Sequence, residues 1–335
     1  MSEPRKPAPP ATLEDLQRMA MGYQQSRALL AAVELGLFTA VAGHPGGAPS
    51  TAVAEAAGCD TRATDRLLHA LAAIGLLRKV DGLFHLTEAS ERWLVEGAPD
   101  YLSGLRHTAN TYKNWSTLDE AVQSGGAVID TDWDTDAKRR DFIEAMHRRA
   151  QGAARELAQR LDLSDVWRVL DVGGGSGVWS MAMCRAREGL TATVLDLPNV
   201  TPLTREYIAA EGLEGRMDTQ DGSYHEADFG HGYDLVFFSA IVHINSPAEN
   251  RELMRKSFAA LNPGGRIVVQ DFIMDEDRTS PVHGALFALN MLVNTARGDT
   301  YTEGEIRAWL LDAGCETTER AETGGKTPML IGRKA

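Results

Sequence analysis

The residues with the clearest chemical potential form a short segment dominated by glycine. Four glycines lie within five positions of the segment Asp171–Gly177, which reads DVGGGSG and precedes a helical pattern. Glycines at such a place let the backbone turn sharply and let a ligand approach closely, and the first turn of the helix offers free N–H groups. The segment, which includes Asp171, therefore predicts a cofactor loop; a purely structural turn is the alternative.

A second acidic residue predicts that the cofactor contains a ribose. Asp196 lies at the end of the next predicted strand, where a carboxylate can accept hydrogen bonds from both ribose hydroxyls of a nucleotide. That position suits NAD and S-adenosylmethionine equally. The spacing of the glycines distinguishes the two cofactors. The dinucleotide fingerprint needs a small residue directly after Gly177, and this chain has Val178 there. The spacing favours a cofactor without a pyrophosphate.

A histidine follows the third predicted strand of this region. His243 stands in the segment AIVHIN, just past the carboxyl end of the strand at residues 235–238. Ligands of open α/β sheets bind at that edge. Because imidazoles exchange protons near neutral pH, a histidine there can serve as a general base. The alternative is a packed histidine with a structural role.

Two asparagines interrupt an apolar helical pattern at residues 284–294. Asn290 and Asn294 are four positions apart, so a helix places their amides on one face. Buried amides need hydrogen-bond partners. The pattern predicts either a polar patch that binds an acceptor molecule or hydrogen bonds that cap or join helices, and both interpretations stay open. Asp271, at a strand end, is a further candidate for chemistry.

The elements that must position these residues alternate between strand and helix from Trp167 onward. The predicted strands cover residues 167–172, 191–195, 235–238 and 266–271, and the predicted helices cover residues 178–187, 201–211, 248–261, 284–294 and 301–313. This alternation predicts an α/β fold with a mainly parallel sheet and helices on both faces.

The first hundred residues follow a different pattern. Apolar residues recur at helical spacing from Leu13 to Leu37, as one amphipathic helix or a broken pair. Two short helices are predicted next, at residues 50–58 and 62–74, the second capped by Asp60 or Thr61. Strand patterns then flank Asp81-Gly82, a strong hairpin turn. Two helices followed by a hairpin predict a winged helix.

The charge argues against nucleic acid as a partner of this winged helix. Residues 1–100 contain nine Lys or Arg against twelve Asp or Glu, and the whole chain has a formal net charge of −13 and a pI near 5.2. Phosphate contacts need a surplus of positive charge. We therefore expect the module to pack against a second copy of itself, and a DNA-binding regulator is disfavoured.

The cysteines and the N-terminal residues indicate the cellular compartment. Cys59, Cys184 and Cys315 are far apart and lack metal-type spacing, so we expect a reduced, cytoplasmic compartment and no metal site. The Pro-rich residues 1–10 lack the apolar region of a signal peptide and are expected to form a disordered tail. No apolar stretch approaches the roughly 20 residues that a membrane helix needs, so no membrane partner is expected.

Several segments together resemble the small-molecule O-methyltransferases of the plant caffeate and bacterial polyketide type. They are DVGGGSG at residues 171–177, LDLPNV at residues 195–200, ALNPGGR at residues 260–266, and ELGLF at residues 34–38 with the winged helix after it. The resemblance implies an N-terminal winged-helix dimerisation domain at residues 11–100, a helical connector at residues 101–160 and a Rossmann-like domain at residues 161–335. It also implies a homodimer that binds S-adenosylmethionine and a small acceptor molecule.

The resemblance implies roles at the positions that match the family's motifs. The positions expected to contact the cofactor are Asp171, Gly173, Gly175, Asp196, Leu197, Asp221, Gly222 and Ser239, and those expected to contact the acceptor are Met146, Asn290 and Asn294. Asp196 would hold the ribose and Asp221 the adenine. Gly222 departs from the family, which has large residues after that aspartate, and Ser239 stands where many relatives have Lys or Arg.

His243 matches the catalytic base of the resembled family. The surrounding residues depart from the family, because Ile244 and Asn245 replace its usual Asp and Trp, and Thr300 stands in place of its orienting carboxylate. We therefore expect His243 to lack a carboxylate partner. Methyl transfer to a hydroxyl of a small aromatic metabolite is the predicted function. Methylation of nitrogen or carbon on the same fold is the nearest alternative, and an NAD-dependent dehydrogenase is disfavoured by the glycine spacing.

Overall fold

The computed structural model describes residues 9–129, 136–323 and 327–335. Residues 1–8 of the expected disordered tail therefore lie outside the described residues. The described chain separates into two compact units, with the boundary between Lys113 and Asn114. The domain limits near residues 100 and 160 remain predictions.

The first unit contains short helices and one hairpin. Its elements are α1 (Leu13–Met21), α2 (Tyr23–Glu34), α3 (Leu37–Ala42), α4 (Ser50–Ala57), α5 (Thr61–Ala73), β1 (Leu77–Val80), β2 (Leu83–Leu86), α6 (Glu88–Leu94) and most of α7 (Gly104–Trp115). Asp60 caps α5 by accepting a 2.8 Å hydrogen bond from the Ala63 N–H. Asp81 and Gly82 both have left-handed backbones, with φ of 48° and 82°, as a two-residue hairpin turn requires. The predicted helix–helix–hairpin order is confirmed.

The helical pattern from Leu13 to Leu37 is divided into three helices. Gly22 separates α1 from α2, and Gly36, with a φ of 66°, separates α2 from α3. Helix α1 buries none of its residues, and Leu13 and Met19 are 72% and 70% exposed. An amphipathic helix with an uncovered apolar side is typical of a surface that a partner covers.

The second unit is an α/β domain. Its helices are α8 (Leu118–Ser124), α9 (Asp136–Arg160), α10 (Val178–Ala186), α11 (Thr201–Ala210), α12 (Pro247–Ala260), α13 (Val282–Asn294) and α14 (Glu303–Asp312). Its strands are β3 (Arg168–Val172), β4 (Thr191–Asp196), β5 (Met217–Asp221), β6 (Tyr233–Ser239), β7 (Leu261–Gln270), β8 (Ile273–Met274), β9 (Tyr301–Thr302), β10 (Thr317–Ala321) and β11 (Met329–Arg333). None of the described helices is long and apolar enough to cross a bilayer.

The strand order of the main sheet places the predicted glycine loop at the carboxyl edge. Its strand order is β10-β11-β7-β6-β3-β4-β5, and the pairs from β7 to β5 are parallel. β11 and β10 add an antiparallel extension beyond β7. Strand order reverses at β3, which pairs with both β4 and β6. Open α/β sheets bind ligands at the carboxyl edge beside such a reversal, so the glycine loop after β3 lies where a ligand is expected.

The centre of the sheet is buried on both faces. Val169 and Leu235 pack in one apolar cluster, while Leu170, Val172 and Phe238 pack in another on the opposite face. Side chains alternate between the faces of a strand, so β3 and β6 are apolar on both sides. This burial holds the ends of β3 and β6 in fixed positions.

Several predicted element limits were wrong. Strand β7 begins at Leu261 instead of residue 266. Helix α14 begins at Glu303, because Tyr301 and Thr302 pair with β8 and the Thr302 side chain then caps the helix. Strands β5 and β10 were not predicted, since both lie at sheet edges and expose polar residues without regular alternation.

Candidate active site

The glycine loop adopts a backbone that only glycine accepts readily. Gly173, Gly175 and Gly177 have φ of 67°, 56° and 76°, a left-handed region that costs other residues energy. A side chain at Gly173 would place its Cβ 2.4 Å from Ile241 Cδ1. The Gly177 N–H donates to the Gly174 carbonyl at 2.8 Å and closes the loop. The glycines are therefore required by conformation and by close approach.

Asp171 lies beneath this loop, fully buried. Its Oδ2 accepts a 2.7 Å hydrogen bond from the Ser180 hydroxyl of α10, whereas its Oδ1 accepts none from the described residues. Burial raises the pKa of Asp171 to about 7, because it disfavours the charged carboxylate more than the Ser180 hydrogen bond favours it. Asp171 thus links β3 to α10 beneath the loop, and its contact with the cofactor remains a prediction.

Asp196 ties the loop to the neighbouring strand. Its Oδ2 accepts a 2.8 Å hydrogen bond from the Gly175 N–H, and its Oδ1 accepts one of 2.7 Å from the Leu197 N–H. Burial raises the pKa of this carboxyl, and the two backbone N–H groups oppose that rise. Each carboxylate oxygen has a further lone pair, so the side chain can hold the loop and still accept from ribose hydroxyls.

The other predicted cofactor residues lie at the ends of neighbouring strands. Asp221 is directly opposite Asp196 in the β4–β5 pairing, and the Gly222 N–H donates to the Asp196 carbonyl at 2.9 Å. Asp221 Oδ1 accepts from the Thr201 hydroxyl at 2.7 Å and from the Arg205 guanidinium at 2.9 Å. The structure therefore brings Asp171, Gly173, Gly175, Asp196, Leu197, Asp221 and Gly222 to one stretch of the sheet edge.

Ser239 ends β6 on the other side of β3. Its hydroxyl donates to Gln270 Oε1 of β7 at 2.8 Å, and Ser239 pairs directly with Gln270 in the β6–β7 register. This contact fastens the ends of two parallel strands together. Both strands continue into the segments that carry His243 and Asp271.

His243 forms a short hydrogen bond with a carboxylate. His243 Nδ1 and Asp271 Oδ1 are 2.6 Å apart, and the two side chains are 8% and 2% exposed. The expectation that His243 lacks a carboxylate partner was wrong, because Asp271 directly follows β7, the neighbour of the strand that precedes His243. Since an ionised carboxylate only accepts, the proton of a neutral imidazole lies on Nδ1 and leaves a lone pair on Nε2.

Buried amides hold the His243 segment in place. The Asn245 amide donates to the Ile241 carbonyl at 3.1 Å, and the Asn250 amide donates to the Val242 carbonyl at 2.9 Å. Just before this segment, Ala240 has a φ of 58°, a strained conformation that costs a residue with a side chain about 1–2 kcal/mol. The surrounding hydrogen bonds maintain this strained turn, and it places His243 at the sheet edge.

Aromatic rings adjoin the imidazole. The ring centroids of His243 and Phe287 are 4.9 Å apart in an edge-to-face arrangement, and Phe287 stacks on Phe272 at 4.1 Å. Phe272 directly follows Asp271, and Phe287 lies on α13. The histidine therefore lies beside a flat apolar surface.

The two asparagines of α13 have partners near the start of the second unit. The Trp115 indole donates to Asn290 Oδ1 at 2.9 Å, and the Asn114 amide donates to Asn294 Oδ1 at 2.7 Å. Asn290 and Asn294 thus join helices by hydrogen bonds, which was one of the two interpretations. Their contact with an acceptor molecule remains a prediction. Met146 lies partly buried on α9, whose residue Ile143 adjoins the glycine loop. No group of three or more metal-ligating side chains occurs in the described ranges.

Comparison with known proteins places this geometry in a family. Residues 115–316 match the model of the O-methyltransferase domain, and residues 17–96 match that of the O-methyltransferase dimerisation domain. The chain is 36% identical to 3-hydroxy-5-methyl-1-naphthoate 3-O-methyltransferase of Streptomyces sahachiroi, over 97% of this chain and 96% of that protein. It is 30% identical to L-tyrosine C(3)-methyltransferase of Streptomyces lavendulae, over 95% and 92% of the two chains.

A solved structure agrees over almost the whole chain. The crystal structure of human N-acetylserotonin methyltransferase in complex with S-adenosylmethionine has a TM-score of 0.84 and 25% identity, over 98% of this chain and 99% of that one. The matches confirm the predicted fold class and S-adenosylmethionine as the cofactor, and the matched dimerisation domain supports the expected homodimer. The roles of the individual site residues remain predictions.

Proposed function

The chain belongs to the O-methyltransferase family, and we propose that it methylates a hydroxyl of a small aromatic metabolite with His243 as the general base. The observation that carries this proposal is the 2.6 Å contact between His243 Nδ1 and Asp271 Oδ1 at the carboxyl edge of the sheet. A histidine held in this way has one ring nitrogen oriented by the carboxylate and the other available to remove a proton.

The reaction needs a proton acceptor as well as a methyl donor. S-adenosylmethionine supplies a methyl group on a positively charged sulfur, which leaves as a neutral thioether. A hydroxyl is a weak nucleophile until its proton leaves. His243 Nε2 takes that proton while the oxygen–methyl bond forms and the sulfur–methyl bond breaks. Asp271 stabilises the imidazolium that results and keeps the ring oriented.

The cofactor is assigned to the β3–β5 side of the edge. The residues present fit S-adenosylmethionine, because the glycine loop leaves room for close approach and Asp196 offers carboxylate lone pairs at the ribose position. Asp221 and Gly222 adjoin Asp196 and are assigned to the adenine. Asp171 supports the loop from below. Ser239 stands between this side and the His243 segment.

The acceptor is assigned to the side of His243 that faces α13. Phe272 and Phe287 offer a flat apolar surface next to the imidazole, which suits an aromatic ring. Asn290 and Asn294, and Met146 from α9, are the proposed further contacts. The relative from Streptomyces sahachiroi is named for a hydroxylated naphthoate, and this supports an aromatic hydroxyl compound as the acceptor class.

Methylation at carbon is a second candidate function. The relative from Streptomyces lavendulae is named for methyl transfer to C(3) of L-tyrosine, and the same base can activate a phenol for methylation at oxygen or at carbon. We also propose a cytoplasmic location, since Cys59, Cys184 and Cys315 are all free thiols, as expected where thiols stay reduced.

A screen of small phenols with methyl-labelled S-adenosylmethionine tests the proposed function. We expect label in an aryl methyl ether, identified by mass spectrometry and by the methyl chemical shift in NMR. A carbon-bound methyl group would select the second candidate. Calorimetry that shows binding of NAD, with none of S-adenosylmethionine, would contradict the proposal.

A further inference from the structure

A buried histidine outside the proposed catalytic pair contacts the glycine loop. His147 lies on α9 and is 6% exposed. Its Nδ1 is 2.9 Å from the hydroxyl of Ser176, which is itself buried within the loop. Neither residue has a part in the proton transfer assigned to His243 and Asp271.

The surroundings of His147 orient its ring. The Gln151 amide nitrogen, one turn further along α9, is 3.0 Å from His147 Nε2, and the Tyr207 ring stacks on the imidazole with centroids 4.2 Å apart. An amide nitrogen only donates, so Nε2 accepts and Nδ1 carries the proton. His147 Nδ1 therefore donates to Ser176 Oγ.

The charge state of His147 agrees with this pattern. Burial lowers the pKa of His147, and Arg148 lowers it further, while Glu144 opposes them. The ring is consequently neutral near neutral pH, as one donor and one acceptor nitrogen require. Tyr207 faces it from α11 without a formal charge.

Helix α9 makes a second contact with the same loop. A Cβ built on Gly175 would lie 3.5 Å from Ile143 Cδ1, one turn before His147 on α9. Two further contacts hold Gly175 from the other side. The Gly175 N–H donates to Asp196, and the Thr204 hydroxyl donates to the Gly175 carbonyl at 2.6 Å. The loop is thus held between α9 and the β4–α11 region, and His147 provides a polar contact from α9.

We propose that His147 is a positioning residue for cofactor binding. It holds Ser176 and the loop backbone in the conformation that binds S-adenosylmethionine. The inference rests on the proposed function, in which this loop binds the cofactor. Because Met146 precedes His147 on α9, the same contact links the loop to a proposed acceptor residue. A loop that is already ordered loses less conformational freedom on binding.

The test measures the dissociation constant of S-adenosylhomocysteine by calorimetry on the full chain. His147→Leu and Ser176→Ala should each weaken binding by about 3–30-fold, the range expected for loss of one buried hydrogen bond. The double variant should bind about as weakly as either single variant, because both remove the same interaction. His147→Asn should restore binding to within about threefold, since its amide nitrogen can replace Nδ1 as the donor.

Arg155→Gln is the matched control, because it changes an exposed residue of the same helix. It should bind the probe as the wild type does. Thermal unfolding of every variant separates a loss of affinity from a loss of folding, and Ser176→Ala decides the question if His147→Leu does not fold. Wild-type affinity in both His147→Leu and Ser176→Ala, or an equal loss in Arg155→Gln, would overturn the inference. Absence of binding by the wild-type protein would instead contradict the proposed function.

Discussion

The two halves of the carboxyl edge of the sheet are stabilised in different ways. On the β3–β4 side, Asp171 accepts a hydrogen bond from the Ser180 hydroxyl of α10, and Asp196 accepts from the backbone N–H groups of Gly175 and Leu197. Burial raises the pKa of both carboxyls. On the β6–β7 side, Asp271 is paired directly with an imidazole. Acidic side chains near the carboxyl ends of the strands thus have neutral donors on one side of the sheet and an imidazole on the other.

This difference indicates different functions for the two sides. Neutral donors around Asp196 hold a loop in shape and leave carboxylate lone pairs for a ligand, as a binding site requires. The His243–Asp271 pair can hold a proton and stabilise the charge that results. We infer that the first side binds the methyl donor and the second side performs the proton transfer.

The largest effect is expected at the base itself. His243→Ala should lower turnover by about 10²–10⁴, the usual contribution of a positioned general base. Binding of S-adenosylhomocysteine should barely change, because the cofactor is assigned to the other half of the edge. Steady-state kinetics and calorimetry on the same preparation check both statements. Turnover near the wild-type rate at neutral pH would show that His243 is structural.

A smaller effect is expected at the partner of the base. Asp271→Asn keeps the shape of the side chain but removes its charge, so turnover should fall by about a hundredfold, less than the loss of the whole base. The double variant with His243→Ala should lose little more than His243→Ala alone, because the two residues act together. Losses that multiply in the double variant would show that Asp271 acts independently of His243.

The buried carboxyl on the cofactor side should reduce stability as pH rises. An unfolded aspartate has a pKa of about 3.9, whereas burial raises the pKa of Asp171 to about 7. The folded state therefore binds the proton more tightly than the unfolded chain does. The Asp171 carboxyl does not reduce the free energy of unfolding below about pH 4. Its destabilising effect grows as the pH rises from about 4 to about 7 and then levels off. Asp171→Asn should gain about 2–3 kcal/mol in unfolding free energy relative to wild type between about pH 5 and pH 8.

Urea unfolding at the two pH values measures this difference. The wild type is the reference at each pH, so that the titration of other groups cancels. A stability difference between Asp171→Asn and the wild type that does not vary with pH would mean that the carboxyl titrates normally despite its burial.

A related effect concerns Asp196 and the cofactor. Asp196→Ala should weaken binding of S-adenosylmethionine by about 1–3 kcal/mol, because ribose hydroxyls lose their acceptor and the Gly175 N–H loses its own. Turnover at saturating cofactor should change less than affinity. Calorimetry checks the first statement, and wild-type affinity in the variant would exclude the assigned ribose contact.

The sequence predicted local features of the molecule better than long-range pairs of residues. The glycine loop, Asp196 and the hairpin at Asp81-Gly82 follow from neighbouring residues whose conformational needs are distinctive. The partner of His243 is 28 positions away and was missed, because the pairing depends on the register of β6 against β7. An aspartate that directly follows a neighbouring strand was the available signal.

The partners of Asn290 and Asn294 were missed for the same reason. Trp115 and Asn114 are 175 and 180 positions away from them. The periodic pattern predicted that the two amides share a helix face and need partners, but no local rule identifies an element so distant in sequence. Packing of α8 against α13, in the unit that begins at Asn114, determines those contacts.

The pH dependence of the turnover ratio between wild type and His243→Ala tests the central claim most directly. The acceptor is a phenol identified by the screen, assayed at saturating cofactor from about pH 7 to about pH 10. A phenol has a pKa near 10, so it forms phenolate without help as the pH rises. We expect a ratio of about 10²–10⁴ at neutral pH that falls steadily towards one as the pH rises. A ratio near one at neutral pH, or a large ratio that does not change with pH, would contradict the assignment of His243 as the base.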